Sequence, residues 1–152
     1  SPKARADIIR WTMQQDGRRV EFRYHGDGPA QALPQYRIAA LPEGYTETER
    51  AASYAAGDVK YTNADGDMIL LSYLYMSDGV VSGFELDNGD TMTDTQVNGI
   101  PATLIVSSME GNFSSVTWRD TASNIEFTVA AVADESVIIA MAESVSLCNS
   151  TN

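Results

Sequence analysis

The stretch MILLSYLYM, Met68–Met76, is the most apolar segment of the chain, and it decides the fold class. An apolar run of this length, which includes two tyrosines and follows a turn signal, predicts a strand inside a sheet. The turn cluster NADGD, Asn63–Asp67, comes directly before it and predicts a hairpin with a strand through Val59 and Tyr61. We therefore place Met68–Met76 at the centre of an antiparallel sheet.

Strand signals continue on both sides of this segment. Upstream, RIAALPEGYTETE, Arg37–Glu49, contains Pro42 and Gly44, which predict a tight bend braced from the core side by neighbouring apolar residues. The polar strand after the bend, Tyr45–Tyr54, is expected at a sheet edge, where charge discourages unwanted pairing. Downstream, Asn98-Gly99 is a strong hairpin signal. Further strands are predicted at Thr103–Ser107, Ser115–Arg119 and Ile125–Ala130.

Both ends of the chain have helical periodicity. Ala4, Ile8 and Trp11 recur at helical spacing before Gly17, and the period then changes to two for a strand from Arg19 to Tyr24. Asp134 is suited to cap a second helix. The apolar stripe of that helix comprises Val137, Ile138, Met141, Ala142 and Val145.

These elements predict an α+β fold: a twisted antiparallel meander of about seven to nine strands, covered on one face by an N-terminal and a C-terminal helix. We expect a single domain over residues 1–152. Within it, residues 1–25 hold the first helix and strand, and residues 36–147 hold the sheet and the last helix. The loop between them, HGDGPAQALP, begins at His25 and is expected to be mobile.

Composition excludes several classes of function. Twenty-one acidic residues against ten basic ones give a net charge of −11, which repels nucleic acid and anionic lipid. Cys148 is the only cysteine, so the chain has neither an intrachain disulfide nor a cysteine-rich zinc site. The sequence has no apolar run long enough for a membrane-spanning helix, so we expect no direct membrane insertion.

The candidate sites for chemistry are weak. His25 is the only imidazole and lies on the polar side of its strand, where we expect a surface residue. Asn63, Asp65 and Asp67 alternate as calcium ligands do. A calcium loop, however, has glycine at position six and glutamate at position twelve, whereas here Gly66 is fourth and Leu74 is twelfth, so we interpret the segment as a turn.

Asp87, Asp90 and Asp94 concentrate carboxylates in one acidic segment, which we interpret as solvated. Ser82 lies within GVVSG, which lacks the Gly-x-Ser-x-Gly spacing of a nucleophile elbow. The strand aromatics are expected in the core, and they are Tyr73, Tyr75, Trp118 and Phe127. We therefore predict no catalytic, cofactor-binding or metal-binding residue, and no enzymatic activity.

Several motifs together resemble domain-of-unknown-function family 4367. They are LPEGY at Leu41–Tyr45, VNGIPATLI from Val97, SVTWRD from Ser115, IEFTVAA from Ile125, and DESVIIAMAESV from Asp134. The similarity extends from about Ile8 to Leu147. The resemblance implies the outer part of a membrane-anchored, anti-sigma-factor-like protein of Gram-positive bacteria, at the extracellular face of the cytoplasmic membrane.

The resemblance thus favours a non-catalytic, extracytoplasmic interaction or sensory domain whose partner is a protein or another envelope component. We expect contact through a sheet edge or through loops, at Gly26–Pro34 or Val80–Asp94. The alternative is a carrier that holds a lipid or another apolar ligand between sheet and helices, similar in outline to lipoprotein-carrier half-barrels. A hydrolase that uses the acidic loops ranks third. The sequence leaves the oligomeric state open.

Overall fold

The computed structural model describes residues 10–148, and these form twelve β-strands and one α-helix. The strands are β1 (Arg10–Asp16), β2 (Arg19–His25), β3 (Tyr36–Ile38), β4 (Thr46–Ala52), β5 (Ala56–Thr62), β6 (Met68–Tyr75), β7 (Val81–Glu85), β8 (Thr91–Val97), β9 (Ile100–Val106), β10 (Ser114–Asp120), β11 (Ile125–Ala131) and β12 (Val145–Leu147). Helix α1 (Glu135–Glu143) lies between β11 and β12. The antiparallel, β-rich architecture is confirmed.

A seven-stranded sheet, called the large sheet below, has the order β4-β5-β6-β11-β10-β9-β8. It combines two meanders, β4 to β6 and β8 to β11, which join where β6 pairs antiparallel with β11. The apolar strand β6 therefore lies beside the central strand β11 rather than at the centre itself. The polar strand β4 is at an edge, as predicted.

The prediction of one continuous sheet is wrong. Strands β1, β2 and β7 form a separate three-stranded sheet, called the small sheet below, and β3 pairs only with β12. β7 leaves the meander because its apolar residue Phe84 packs against Phe22 of β2, with ring centroids 6.4 Å apart. A continuous meander would have required β7 to lie between β6 and β8.

The prediction of an N-terminal helix is also wrong for the part of it that the structure describes. Residues 1–9 of that prediction lie outside the described residues, but Arg10–Asp16 is strand β1. β1 pairs with β2 around a turn in which Gly17 has φ of 61°. Trp11 and Met13 thus alternate along a strand, because cross-strand pairing prevails over a helical spacing that only a few apolar residues supported.

The predicted turns are found in place. Gly44 has φ of 88° beside Pro42, and Asn98 and Gly99 have φ of 50° and 79°, as a type I′ hairpin requires. β9 pairs with β10 only from Ala102 onward, so the missing N–H of Pro101 costs no ladder hydrogen bond.

The main core lies between the large sheet and α1, on what we call the helix face. Trp118 stacks on Phe127 with centroids 5.2 Å apart, and Ile138, Met141 and Ala142 of α1 are buried within the same cluster. The C-terminal helix and its start after Asp134 are confirmed. Val145, however, lies in β12 and pairs with Ile38, because the helix ends at Glu143.

Candidate functional site

His25 lies at the end of β2 and exposes 59% of its side chain, as predicted for a surface residue. Its Nδ1 atom is 3.9 Å from Oδ1 of Asp78. That carboxylate oxygen also accepts the backbone N–H of Gly26 at 2.8 Å, so Asp78 closes the base of the loop that follows β2. The arrangement around His25 is that of a loop anchor.

The segment Asn63–Asp67 is the predicted turn between β5 and β6. Oδ1 of Asn63 accepts the backbone N–H groups of Asp65 and Asp67 at 3.0 and 2.9 Å. Because this oxygen is turned toward the chain's own backbone, it is not presented to an ion.

The three carboxylates of the acidic segment, those of Asp87, Asp90 and Asp94, do not form one cluster. Asp90 accepts the backbone N–H groups of Ser108 and Asp87, each at 2.8 Å, and these donors, that of Ser108 first, hold the pKa of Asp90 below its usual range. Asp94 lies further along the chain, in the middle of β8. Within residues 10–148, no group of three or more His, Cys, Asp or Glu side chains is arranged to hold a metal ion.

A buried polar cluster joins the small sheet to the face of the large sheet opposite α1, which we call the outer face. It consists of Tyr24 from β2, Ser82 from β7, Arg119 from β10 and Glu126 from β11. Glu126 accepts hydrogen bonds from Ser82 Oγ at 2.6 Å, from Arg119 Nη2 at 2.9 Å and from the Tyr24 hydroxyl. Arg119 Nε donates to the Tyr24 oxygen at 2.7 Å.

The charged groups of this cluster are buried and are paired with one another. Glu126 and Arg119 expose only 4% and 9% of their side chains. The Arg119 guanidinium also lies over the Phe22 ring, 3.5 Å from its centroid. Burial, and then the neighbouring Glu126 carboxylate, raises the pKa of Tyr24. Each member is already engaged by another member, which indicates that the cluster ties the two sheets together.

The sequence reasoning missed this cluster. Its signal was a charged residue on an otherwise apolar central strand: Glu126 within IEFTVAA, directly across the pairing from Arg119. In a strand with one face in the core, a charged residue on the other face must either be exposed to water or be paired with polar groups of a second sheet or helix that covers it. Here the covering layer is the small sheet.

A cleft opens beside this cluster, between the small sheet and the end of the large sheet. Its volume is about 470 Å³. Trp11 of β1 forms one wall and remains 40% exposed. The remaining wall includes Asp94, Pro101, Thr103 and Arg119. Asp94, which the sequence analysis placed in a solvated acidic segment, therefore lines the same cleft as an exposed aromatic residue.

Strand β8 forms one free edge of the large sheet. It pairs with β9 over seven consecutive residues with no bulge, and it contains neither proline nor lysine. Val97 and Ile100 flank the two-residue turn and form a hydrogen-bonded pair, so the N–H and C=O groups of Met92, Asp94 and Gln96 point away from β9. No backbone hydrogen bond from elsewhere in residues 10–148 reaches these groups.

The opposite edge, β4, is built differently. Its pairing with β5 has a register shift between Glu47 and Glu49, and Glu47 forms an ion pair with Arg50 at 2.7 Å. Bulges and charged side chains are the usual protection of sheet edges against added strands. β8 has no bulge and only one charged side chain, Asp94, so of the two edges of the large sheet it is the less protected against pairing.

The chain belongs to the family described as a domain of unknown function, DUF4367, which matches residues 35–145. This range begins later than the similarity expected from Ile8, so β1 and β2 lie outside it while β7 lies within it. No curated protein and no solved structure matches the chain. Within residues 10–148, no helix combines the length and the apolar character needed to cross a membrane.

Proposed function

We propose that this member of the family is a non-catalytic interaction module in the extracytoplasmic part of a membrane-anchored bacterial regulator resembling anti-sigma factors. It binds an extended segment of a partner protein, which adds as a further strand beside β8. The observation that carries the proposal is the unprotected edge of β8, with the outward backbone groups of Met92, Asp94 and Gln96. The extracytoplasmic setting rests on the sequence resemblance alone.

Backbone pairing at a free edge is a common way to recognise an extended peptide. The main-chain hydrogen bonds supply affinity, and alternate side chains supply specificity. β8 lies at the end of a seven-stranded sheet whose neighbours β9 and β10 are fixed by a regular ladder. The edge is therefore held in shape before a partner arrives, which lowers the ordering cost of binding.

The non-catalytic part of the proposal is supported by the engagement of the buried ionisable groups. Glu126, Arg119 and Tyr24 satisfy one another, and Asp90 is occupied by backbone donors. The alternative is a carrier that holds a lipid or another apolar ligand between the large sheet and α1. We favour the interaction role because side chains of α1 and the large sheet pack together where such a ligand would lie.

The experiment uses a substitution that removes one outward N–H group. Gln96→Pro deletes an N–H that points away from β9 and leaves the β8–β9 ladder intact. The matched control is Gln96→Thr, which keeps the N–H and replaces the same side chain. Each immobilised protein is exposed to envelope extract of a Gram-positive bacterium, after thermal unfolding has shown that the variants remain folded.

We expect the wild-type protein and Gln96→Thr to retain the same specific partner and Gln96→Pro to lose it. Retention of that partner by Gln96→Pro at wild-type strength would overturn pairing at β8. Absence of any specific partner for the wild-type protein, at every salt concentration, would count against the interaction role as a whole.

A further inference from the structure

The cleft beside β8 allows the chemistry of the bound segment to be inferred, on the premise that β8 is the binding edge as proposed above. We propose that the segment carries a lysine or arginine opposite Asp94, and that its cationic group enters the cleft between Asp94 and Trp11. The occupant is thus a basic, extended polypeptide segment.

Asp94 is placed to select a cation. It lies in the middle of β8, is exposed, and has both of its backbone groups directed to the open side. No ion pair within residues 10–148 includes Asp94. The residue directly opposite on an added strand would have its Cβ about 4.5–5.5 Å away, a position at which opposite charges attract.

Trp11 supplies the second contact. It lines the cleft together with Asp94 and is 40% exposed, so its indole is accessible to a cation that enters the cleft. At about 470 Å³ the cleft lies within the usual range for small-ligand sites and has room for a long side chain.

Among the described residues that line the cleft, the other charged groups do not oppose a cation. Arg119 lines it, but its guanidinium is paired with Glu126 at 2.9 Å and stacked over Phe22. Asp120 adds a further carboxylate to the lining. The whole chain has a net charge of −11, so a basic segment is also attracted at long range.

The test is an NMR titration with synthetic peptides of alternating threonine and valine that carry lysine, norleucine or glutamate at the central position. With the lysine peptide we expect shifts in the backbone amides of Met92–Val97 and in the indole N–H of Trp11. Asp94→Asn should weaken its binding about three- to tenfold. Glu49→Gln, an acid on the opposite edge β4, is the matched control and should bind as the wild type does.

The outcomes separate this inference from the proposed function. If lysine and norleucine peptides shift the β8 amides with equal affinity, and Asp94→Asn changes nothing, β8 remains a binding edge but the cation requirement is refuted. If the glutamate peptide binds best, the charge argument is refuted. If no peptide shifts the β8 amides, both the proposed strand pairing at β8 and the inferred cation requirement are refuted.

Discussion

Replacing Glu126 with alanine tests the buried cluster that joins the two sheets. The change leaves the Arg119 guanidinium, only 9% exposed, without its carboxylate, and it removes the acceptor of the Tyr24 and Ser82 hydroxyls. Breaking a buried ion pair from one side costs about 3–5 kcal/mol. At about 2–4 °C per kcal/mol for a chain of this size, Tm should fall by roughly 6–20 °C.

The assay is urea and thermal unfolding of the wild type, Glu126→Ala and two comparison variants. Glu49→Ala removes an exposed ion pair with Lys60 and should cost about 0–1 kcal/mol. The double variant Glu126→Leu with Arg119→Met removes both charges and should recover most of the lost stability, because apolar replacement of a whole pair is often neutral. If Glu126→Ala costs no more than Glu49→Ala, the cluster does not hold the sheets together.

Four further predictions each concern a single residue. Gly57→Ala should destabilise the protein by about 1–3 kcal/mol in urea unfolding, because a Cβ there would overlap the buried Tyr73 ring. Gly28→Ala should be close to neutral, because a Cβ there has no neighbour within 4 Å among the described residues. Tyr73→Phe should leave stability unchanged or raise it, because the buried hydroxyl has no hydrogen-bond partner within residues 10–148; a clear loss of stability would show that it has one. The pKa of Asp90 in the folded state is below its usual value of 3.8, so the ionised carboxylate stabilises the protein above pH 3.8 and this stabilisation is lost as the pH falls further. The Tm difference between the wild type and Asp90→Asn should therefore vanish toward about pH 2. The pKa of Tyr24 is raised in the folded state, which favours its neutral form, so the free energy of unfolding of the wild type should fall as the pH rises above about 10. Tyr24→Phe should show a smaller fall over the same pH range; an equal fall in both proteins would refute this prediction.

The parts of the fold that the sequence predicted are those set by local chemistry. Asn98-Gly99 specifies its hairpin because both residues accept a positive φ, and Asp134 marks the start of α1 by composition, although its side chain forms no capping hydrogen bond. The polar strand β4 is predicted at an edge because its charged side chains discourage pairing with a further strand.

The parts that were wrong depend on distant partners. Whether Arg10–Asp16 becomes helix or strand depends on pairing with β2, which no local spacing of Trp11 and Met13 reveals. The departure of β7 from the meander likewise depends on Phe22, sixty residues earlier. The polar cluster was missed for the same reason, since Glu126 acquires its role only when the small sheet covers it.

The candidate site was predicted only in outline. The range Val80–Asp94 was named as a contact region and overlaps β8, but the open edge extends to Val97. The exposure of that edge is a property of strand order, which follows from β6 pairing with β11. Trp11 could not be assigned to the cleft while it was assigned to a helix.

Hydrogen exchange at the outward amides of β8 tests the central claim most directly. In the free protein, the N–H groups of Met92, Asp94 and Gln96 should exchange rapidly, since no acceptor within residues 10–148 covers them. With the captured envelope partner bound, these three amides should become protected while those of β4 stay unchanged. Protection elsewhere, with the β8 amides as fast as in the free protein, would contradict the account.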